Sequence, residues 1–266
     1  MEPLLELKNI CFSYHSMEGE TKALTDINFT VEEGDFVAVV GPSGCGKSTI
    51  LNLISGLLEP GSGSIFINGK PLKQSDINIG YMLQKDHLFE WRTIYRNVIL
   101  GLEIQNKLND ETKAKVDEML NTYGLDEFRD ARPSQLSGGM RQRAALIRTL
   151  ALEPALLLLD EPFSALDYQT RLSVADDIGQ ILKAQKKTAL LVTHDISEAI
   201  SMADHVVVLS SRPAVVKSIV TIDMGIKNRT PMSSRNAPAF KNYFNTIWKE
   251  LNNHESKDVY HPGSIS

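Results

Sequence analysis

Lys47 and Ser48 stand near the end of the run Gly41-Pro42-Ser43-Gly44-Cys45-Gly46-Lys47-Ser48-Thr49, a G-x-x-x-x-G-K-S spacing. That spacing suits phosphate. Glycines let the backbone curl until several N–H groups face one anion, and a following helix adds its positive end. A lysine placed as Lys47 is reaches the β- and γ-phosphates of a nucleotide, and a hydroxyl placed as Ser48 is holds Mg²⁺. The context fits, because Phe36-Val37-Ala38-Val39-Val40 reads as a buried strand and a helix is predicted from Lys47.

Two more groups carry chemistry. Ala155-Leu156-Leu157-Leu158-Leu159 reads as a second buried strand, with Asp160-Glu161 at its carboxyl end, where open α/β sheets bind ligands. There Asp160 would hold Mg²⁺ through its water shell and Glu161 would polarise an attacking water; the alternative is that the two acids merely cap a helix. Leu136-Ser137-Gly138-Gly139-Met140-Arg141-Gln142-Arg143 places a hydroxyl and two bare amides at a helix start, a further anion-binding arrangement. Taken alone it reads as a capping turn.

These groups need a frame. Residues 4–14 and 27–31 alternate apolar positions and predict antiparallel strands. Further strands are predicted at 64–68, 79–83, 188–193 and 205–209, with helical periodicity over 88–152. Strands alternating with helices imply a mostly parallel sheet, with the helical stretch inserted at one edge. Residues 214–223 read as a final strand or hairpin, and 227–237 as loop. Phe240, Tyr243, Phe244, Ile247, Trp248 and Leu251 follow the spacing of an amphipathic helix. Packing on the main body and binding a partner both fit that helix. Residues 255–266 are polar, and disorder is expected there.

The 266 residues carry a net charge of −5, with 42% hydrophobic and 23% charged side chains. This is the balance of a globular protein and argues against a nucleic-acid partner. Apolar runs of about five residues fall well short of the ~20 a membrane span needs. Residues 1–6 lack the basic and apolar regions of a secretory signal. Two cysteines make no disulfide framework, so a reducing cytoplasm is inferred. Cys45, set among loop amides beside Lys47, fits two readings: a thiol with a lowered pKa that reacts readily, which is the expectation taken forward, or an inert small residue that fills the loop. The six histidines show no metal-ligand spacing.

Over nearly its whole length the chain resembles the ATP-binding cassette (ABC) ATPases, on six motifs in order. Tyr14 resembles the aromatic that stacks on adenine, although half-buried strand packing also fits it. Gly41 to Thr49 is similar to the P-loop. Gln84 resembles the glutamine that touches Mg²⁺ and water. Leu136 to Arg143 is similar to the signature sequence. Asp160-Glu161, followed by Ser164-Ala165-Leu166-Asp167, resembles the Walker B end and D-loop. His194, in Leu191-Val192-Thr193-His194-Asp195, resembles the switch histidine.

The resemblance implies an α/β fold: a P-loop NTPase (RecA-like) core with an antiparallel β subdomain and an inserted helical subdomain at about 88–152. Residues 1–230 would form the ATPase domain and 231–266 a C-terminal amphipathic helix and tail. It implies ATP and Mg²⁺ as cofactors, with Lys47, Gln84, Glu161 and His194 in catalysis and Ser48, Gln84 and Asp160 at the metal. Tyr14, the loop from Gly41 to Thr49, Ser137, Gly138, Gly139, Asp160 and Asp167 would contact nucleotide. It also implies a nucleotide-sandwich dimer, in which Ser137-Gly138-Gly139 of one chain completes the site of a second copy.

One ATPase unit without a membrane span resembles the soluble subunit of a bacterial importer, peripheral to the cytoplasmic face of the membrane. Integral permease subunits and, indirectly, a solute-binding protein would be its partners. The segment Gln84-Lys85-Asp86-His87-Leu88-Phe89-Glu90-Trp91-Arg92-Thr93-Ile94 and the later Ser211-Arg212-Pro213 resemble the nitrate/sulfonate/taurine importer group. Glu90 stands where many members have proline, and Met140 where the commonest signature has glutamine. Leu88, Phe89, Trp91 and Ile94 could form a groove for a permease helix or the core of the helical subdomain. A nucleotide-gated regulatory subunit or a non-transport ABC ATPase is the alternative, and Glu161 argues against the first of these.

Overall fold

In the computed structural model, which describes residues 2–17, 19–227 and 229–252, the apolar runs of the sequence become neighbours in one sheet. Its strands are β3 (Phe36–Val40), β6 (Ile79–Met82), β7 (Leu156–Asp160), β8 (Thr188–Thr193), β9 (His205–Leu209) and β10 (Val216–Thr221), in the order β10-β9-β3-β8-β7-β6. The strands β9 to β6 of that order are parallel, and β10 closes the edge antiparallel to β9. Every residue of β3, β7 and β8 is buried, which explains their unbroken apolar runs.

Side chains of a strand alternate between faces. Val37, Val39, Leu156, Leu158, Leu190 and Val192 therefore share one core with helix α1 (Lys47–Ile54) and a second sheet. Ala38, Val40, Leu157, Leu159 and Leu191 point the other way, into a core made with the remaining helices. The second sheet is antiparallel, ordered β2-β1-β4-β5, from β1 (Leu5–Ser16), β2 (Gly19–Val31), β4 (Ser62–Ile67) and β5 (Lys70–Pro71). Both first strands run longer than their alternation predicts, because paired residues such as Tyr14 and Thr21 extend the hairpin beyond the apolar positions.

The predicted helical stretch is four helices: α2 (Ile94–Val98), α3 (Leu100–Ile104), α4 (Asp110–Thr122) and α5 (Gly138–Leu150). Between the later strands lie α6 (Tyr168–Ala184) and α7 (Ile196–Met202).

One expectation about the fold is corrected. The segment read as loop at 227–237 holds a short helix, α8 (Pro231–Arg235). Thr230 caps it by accepting from Ser233 N, and Pro231 at the first turn needs no hydrogen-bond partner. Five residues are too few to show periodicity.

The C-terminal helix α9 (Phe240–Asn252) packs on the body, as one of its two readings holds. Ile247 is fully buried and Phe240, Tyr243, Phe244 and Leu251 are partly so, while the Tyr243 hydroxyl bonds to both backbone groups of Asp223. Trp248 stays exposed, its ring parallel to that of Phe244. The stretch 255–266, read as polar tail, lies outside the described residues. Among the described residues no helix is long and apolar enough to cross a membrane.

Candidate nucleotide site

Strand register gathers the motif residues. Val40 pairs with Thr193 in the β3–β8 ladder, Asp160 with Val192 in β7–β8, and Met82 with Leu159 in β6–β7. Four strands thus end within a residue or so of one another. Gly41, Glu161 and His194 follow β3, β7 and β8 directly, and Gln84 lies two residues beyond β6. All four emerge at one carboxyl edge, the edge where parallel sheets bind ligands.

The loop from Gly41 to Thr49 turns there into α1. Gly46 caps the helix at φ 117°, and a Cβ on it would come 2.7 Å from Leu24 Cδ2, so the position requires glycine. Lys47 Nζ reaches back over the loop and donates to Gly41 O at 2.9 Å and Pro42 O at 3.1 Å. Pro42, Ser43 and Gly44 form the exposed crest of the loop, and Thr49 is buried below it. The Tyr14 hydroxyl lies 2.9 Å from Thr49 Oγ1, and its ring meets Phe12 edge-on at 4.9 Å. Strand β1 thus holds an aromatic, less than half exposed, beside the loop.

Cys45 does not have the environment its neighbours in sequence suggest. Its side chain is 1% exposed and lies under Gly41, whose added Cβ would be 2.8 Å from Sγ. Burial pushes the thiol's pKa up, against the smaller opposing effect of the Lys47 charge. A buried neutral thiol is a small apolar filler, so the reactive reading of Cys45 is corrected and its alternative, the inert loop filler, is the one found.

On the other side, Ser48 Oγ donates to Asp160 Oδ1 at 3.0 Å. The Tyr81 hydroxyl donates to Asn52 Oδ1 at 3.1 Å and approaches Asp160 Oδ2 at 3.5 Å. Burial raises the Asp160 pKa, the Ser48 hydrogen bond lowers it, and the Glu161 charge raises it again, for a net rise. Hydroxyl and carboxylate oxygens side by side suit a hard cation such as Mg²⁺. Among the described residues no group of three His, Cys, Asp or Glu side chains could hold a metal by itself.

Glu161 takes φ 44°, unusual for a residue with a side chain, while its N–H stays bonded to Val192 O at 2.9 Å. The bend turns its carboxylate toward two sequence-predicted partners. His194 Nδ1 is 3.0 Å from Glu161 Oε2, and Gln84 Nε2 is 3.5 Å from the same oxygen and 3.4 Å from Ser164 Oγ. Three catalytic candidates from three separate strands therefore meet.

The signature residues do not join them. Ser137 caps α5 by accepting from Met140 N, and Ser137 and Gly138 are exposed. Among the described residues no hydrogen bond links Ser137, Gly138 or Gly139 to the loop from Gly41 to Thr49. Asp167 caps α6 through Thr170 N and is also exposed.

Sequence reading missed the polar ties behind these motifs. Arg141 of the signature helix pairs with Asp86 at 2.9 Å and Glu90 at 3.1 Å, while Arg148 donates to the carbonyls of Asp86 and His87. Burial raises the Asp86 pKa, but the Arg141 hydrogen bond and the other donors outweigh it and lower the pKa. The segment after Gln84 is thus fastened to α5. The adjacent apolar residues divide between their two readings. Leu88 and Ile94 are core, whereas Phe89 and Trp91 are 36% and 72% exposed with ring centroids 4.7 Å apart. Asn97, fully buried, grips Phe89 by accepting from its N–H and donating to its carbonyl.

Residues 24–164 match the ABC transporter family. The chain is 48% identical over 257 residues to an uncharacterised ABC transporter ATP-binding protein of Bacillus subtilis, covering 97% of this chain and 99% of that one. It is 38% identical over 237 residues to an aliphatic sulfonates import ATP-binding protein of Bacillus licheniformis, covering 89% and 90%. A dimeric ATP-binding cassette solved in a post-hydrolysis state with ADP and Pi superposes with a TM-score of 0.71 at 31% identity, covering 82% of this chain and 99% of that one. The P-loop sheet, the converging Glu161, His194 and Gln84, and these relatives agree: the chain belongs to the ABC transporter family as an ATP-binding subunit, an ATPase of P-loop NTPase fold.

Proposed function

We propose that the protein powers uptake of a small solute, an anion such as a sulfonate (taurine among them) or nitrate, as the ATPase subunit of an ABC importer. The convergence of Gln84 and His194 on Glu161, beside Ser48 and Asp160, carries this reading. In it Lys47 leaves its loop carbonyls for the β- and γ-phosphates. Ser48, Asp160 and Gln84 would hold Mg²⁺, which would supply charge neutralisation at the phosphates. Glu161 accepts the proton of the attacking water, and His194 and Gln84 hold that carboxylate beside the γ-phosphate. Tyr14 stacks on adenine.

The exposed signature supports a two-chain site. Ser137 and Gly138 are exposed and make no hydrogen bond to their own loop among the described residues, which leaves them free to meet the γ-phosphate on a second copy, with Asp167 at the same junction and Gly139 buried behind them. ATP then favours the closed pair and hydrolysis releases it. The ATPase unit of residues 1–230, with its helical insertion at 88–152, carries all these groups, and 231–266 extends it.

Phe89 and Trp91 support a permease contact. They form an exposed aromatic pair five to seven residues after Gln84, on a segment that Asn97 and Arg141 hold in place. A permease helix seated there would keep the protein on the cytoplasmic face of the membrane. The sulfonate-import relative supports the solute class.

The test is co-expression of tagged protein with the permease and solute-binding protein encoded beside it, followed by membrane pull-down and uptake assays. Capture of the permease and ATP-dependent sulfonate or nitrate uptake are expected. ATPase activity with no permease captured would instead favour a non-transport role.

A further inference from the structure

We propose that Glu198 is a positioning residue for ATP hydrolysis: through the Thr193 hydroxyl it sets the turn that presents His194 to Glu161. The inference rests on the reading of Glu161 and His194 given above.

His194 is half exposed, and its ring bonds only to Glu161 among the described residues. Its place must therefore come from its backbone. That backbone is held by a small set of polar contacts. Thr193 Oγ1 accepts from Asp195 N at 3.0 Å, closing the turn around His194. Asp195 Oδ1 accepts from Ser197 N and Glu198 N and so starts α7. The Thr193 hydroxyl has a single proton, and it is given to Glu198 Oε2. Glu198 thus fixes the rotamer that lets Thr193 accept from Asp195.

The site is costly, which argues for a role. Glu198 is 4% exposed, and burial pushes its pKa up. It has no ion pair within 4 Å among the described residues. Arg171 of α6 and Arg235 of α8 act on it only through their fields, and Asp195 opposes them. Its second oxygen, Arg171 Nε and Arg235 Nε are all buried without a hydrogen-bond partner among the described residues. A leucine would fill the volume without desolvating a carboxyl. What a leucine lacks is the acceptor for Thr193. Arg171 also donates to Leu166 O at 3.1 Å, so the same node touches the stretch after Glu161.

The test compares Glu198→Gln, Glu198→Leu, Thr193→Val and His194→Ala, alone and with Glu198→Leu placed in the His194→Ala background. The readouts are kcat, KM for ATP, equilibrium binding of a fluorescent ATP analogue and melting temperature. Glu198→Gln keeps an acceptor oxygen, and its kcat should stay within about threefold of wild type. Glu198→Leu and Thr193→Val should each lose about 10–100-fold in kcat, as small misplacements of reacting groups do, with KM and nucleotide binding within about twofold. In the His194→Ala background Glu198→Leu should add nothing further, because it acts through His194. Wild-type kcat in both Glu198→Leu and Thr193→Val overturns the proposal, as does a loss that multiplies with His194→Ala or follows the melting temperature. Should Glu198→Leu fail to fold, Thr193→Val decides alone. His194→Ala with wild-type kcat would overturn the reading of the site itself. A loss in His194→Ala without one in Glu198→Leu would overturn only the role of Glu198.

Discussion

His194 Nδ1 lies 3.0 Å from Glu161 Oε2, across 33 residues of chain. The contact exists because β7 and β8 are parallel neighbours in a register that ends both at one edge. Gln84 reaches the same carboxylate from β6, on the far side of β7. The Glu161 carboxylate is thereby held from two directions.

The buried thiol gives a first expectation. Cys11 is partly accessible and Cys45 is not. Under native conditions a maleimide should label Cys11 first, and Cys45 should react only on unfolding, with or without MgATP. Peptide mapping reads this directly. Fast native labelling of Cys45 would refute its placement beneath Gly41.

Trp91 separates surface from core. Its side chain is 72% exposed, so Trp91→Ala should change stability by no more than about 0.5 kcal/mol. An aromatic anchor commonly contributes ~2 kcal/mol or more to an interface. The variant should therefore keep its ATPase activity and melting curve while losing permease capture and transport. Retained capture would remove Trp91 from the interface.

Glu198 predicts a pH-dependent stability difference. Its pKa rises from 4.5 in the unfolded chain to about 7 in the fold, mainly through burial. Between these values the folded state binds more protons, so stability falls as pH rises. The favourable term is fully present below about pH 4.5, is lost as pH climbs through about 7, and then levels off. Glu198→Gln cannot ionise. Relative to wild type it should gain up to about 3 kcal/mol between pH 5 and pH 8. Denaturant titrations across that range check this, and a difference that stays flat would mean Glu198 is solvated.

Much of the site was legible because its motifs are local. The strand-loop-helix around Lys47 and the apolar run before Asp160 each carry their own signal within about fifteen residues. Two-sided burial explains why β3, β7 and β8 could be read as unbroken apolar runs. What was not legible is long-range. Asp86 and Arg141 are 55 residues apart, and nothing near either names the other. Glu198 looks like an ordinary exposed helix acid until α6 and α8 cover it. Cys45 could not be decided between its two readings because its neighbours in sequence are amides and Lys47, whereas its neighbours in space include the close-packed Gly41. Helix α8 escaped because one capped turn has no period to detect.

The proposed two-chain site predicts an asymmetry. On that reading Lys47→Ala damages one face of the composite site and Ser137→Arg the other. A dimer mixing these two single mutants keeps one intact site, whereas a doubly mutated chain paired with wild type keeps none. ATPase activity should survive only in the first mixture. Equal activity in both would contradict completion of the site by a second copy.

The most direct measurement is turnover and assembly of Glu161→Gln with MgATP. The substitution keeps the shape of the side chain but removes the base. Turnover should fall ~10²–10⁴-fold while ATP binding persists, and size-exclusion chromatography should show an ATP-dependent dimer that wild type does not accumulate. Near-normal turnover in Glu161→Gln would contradict the assignment of Glu161 as the group that activates water.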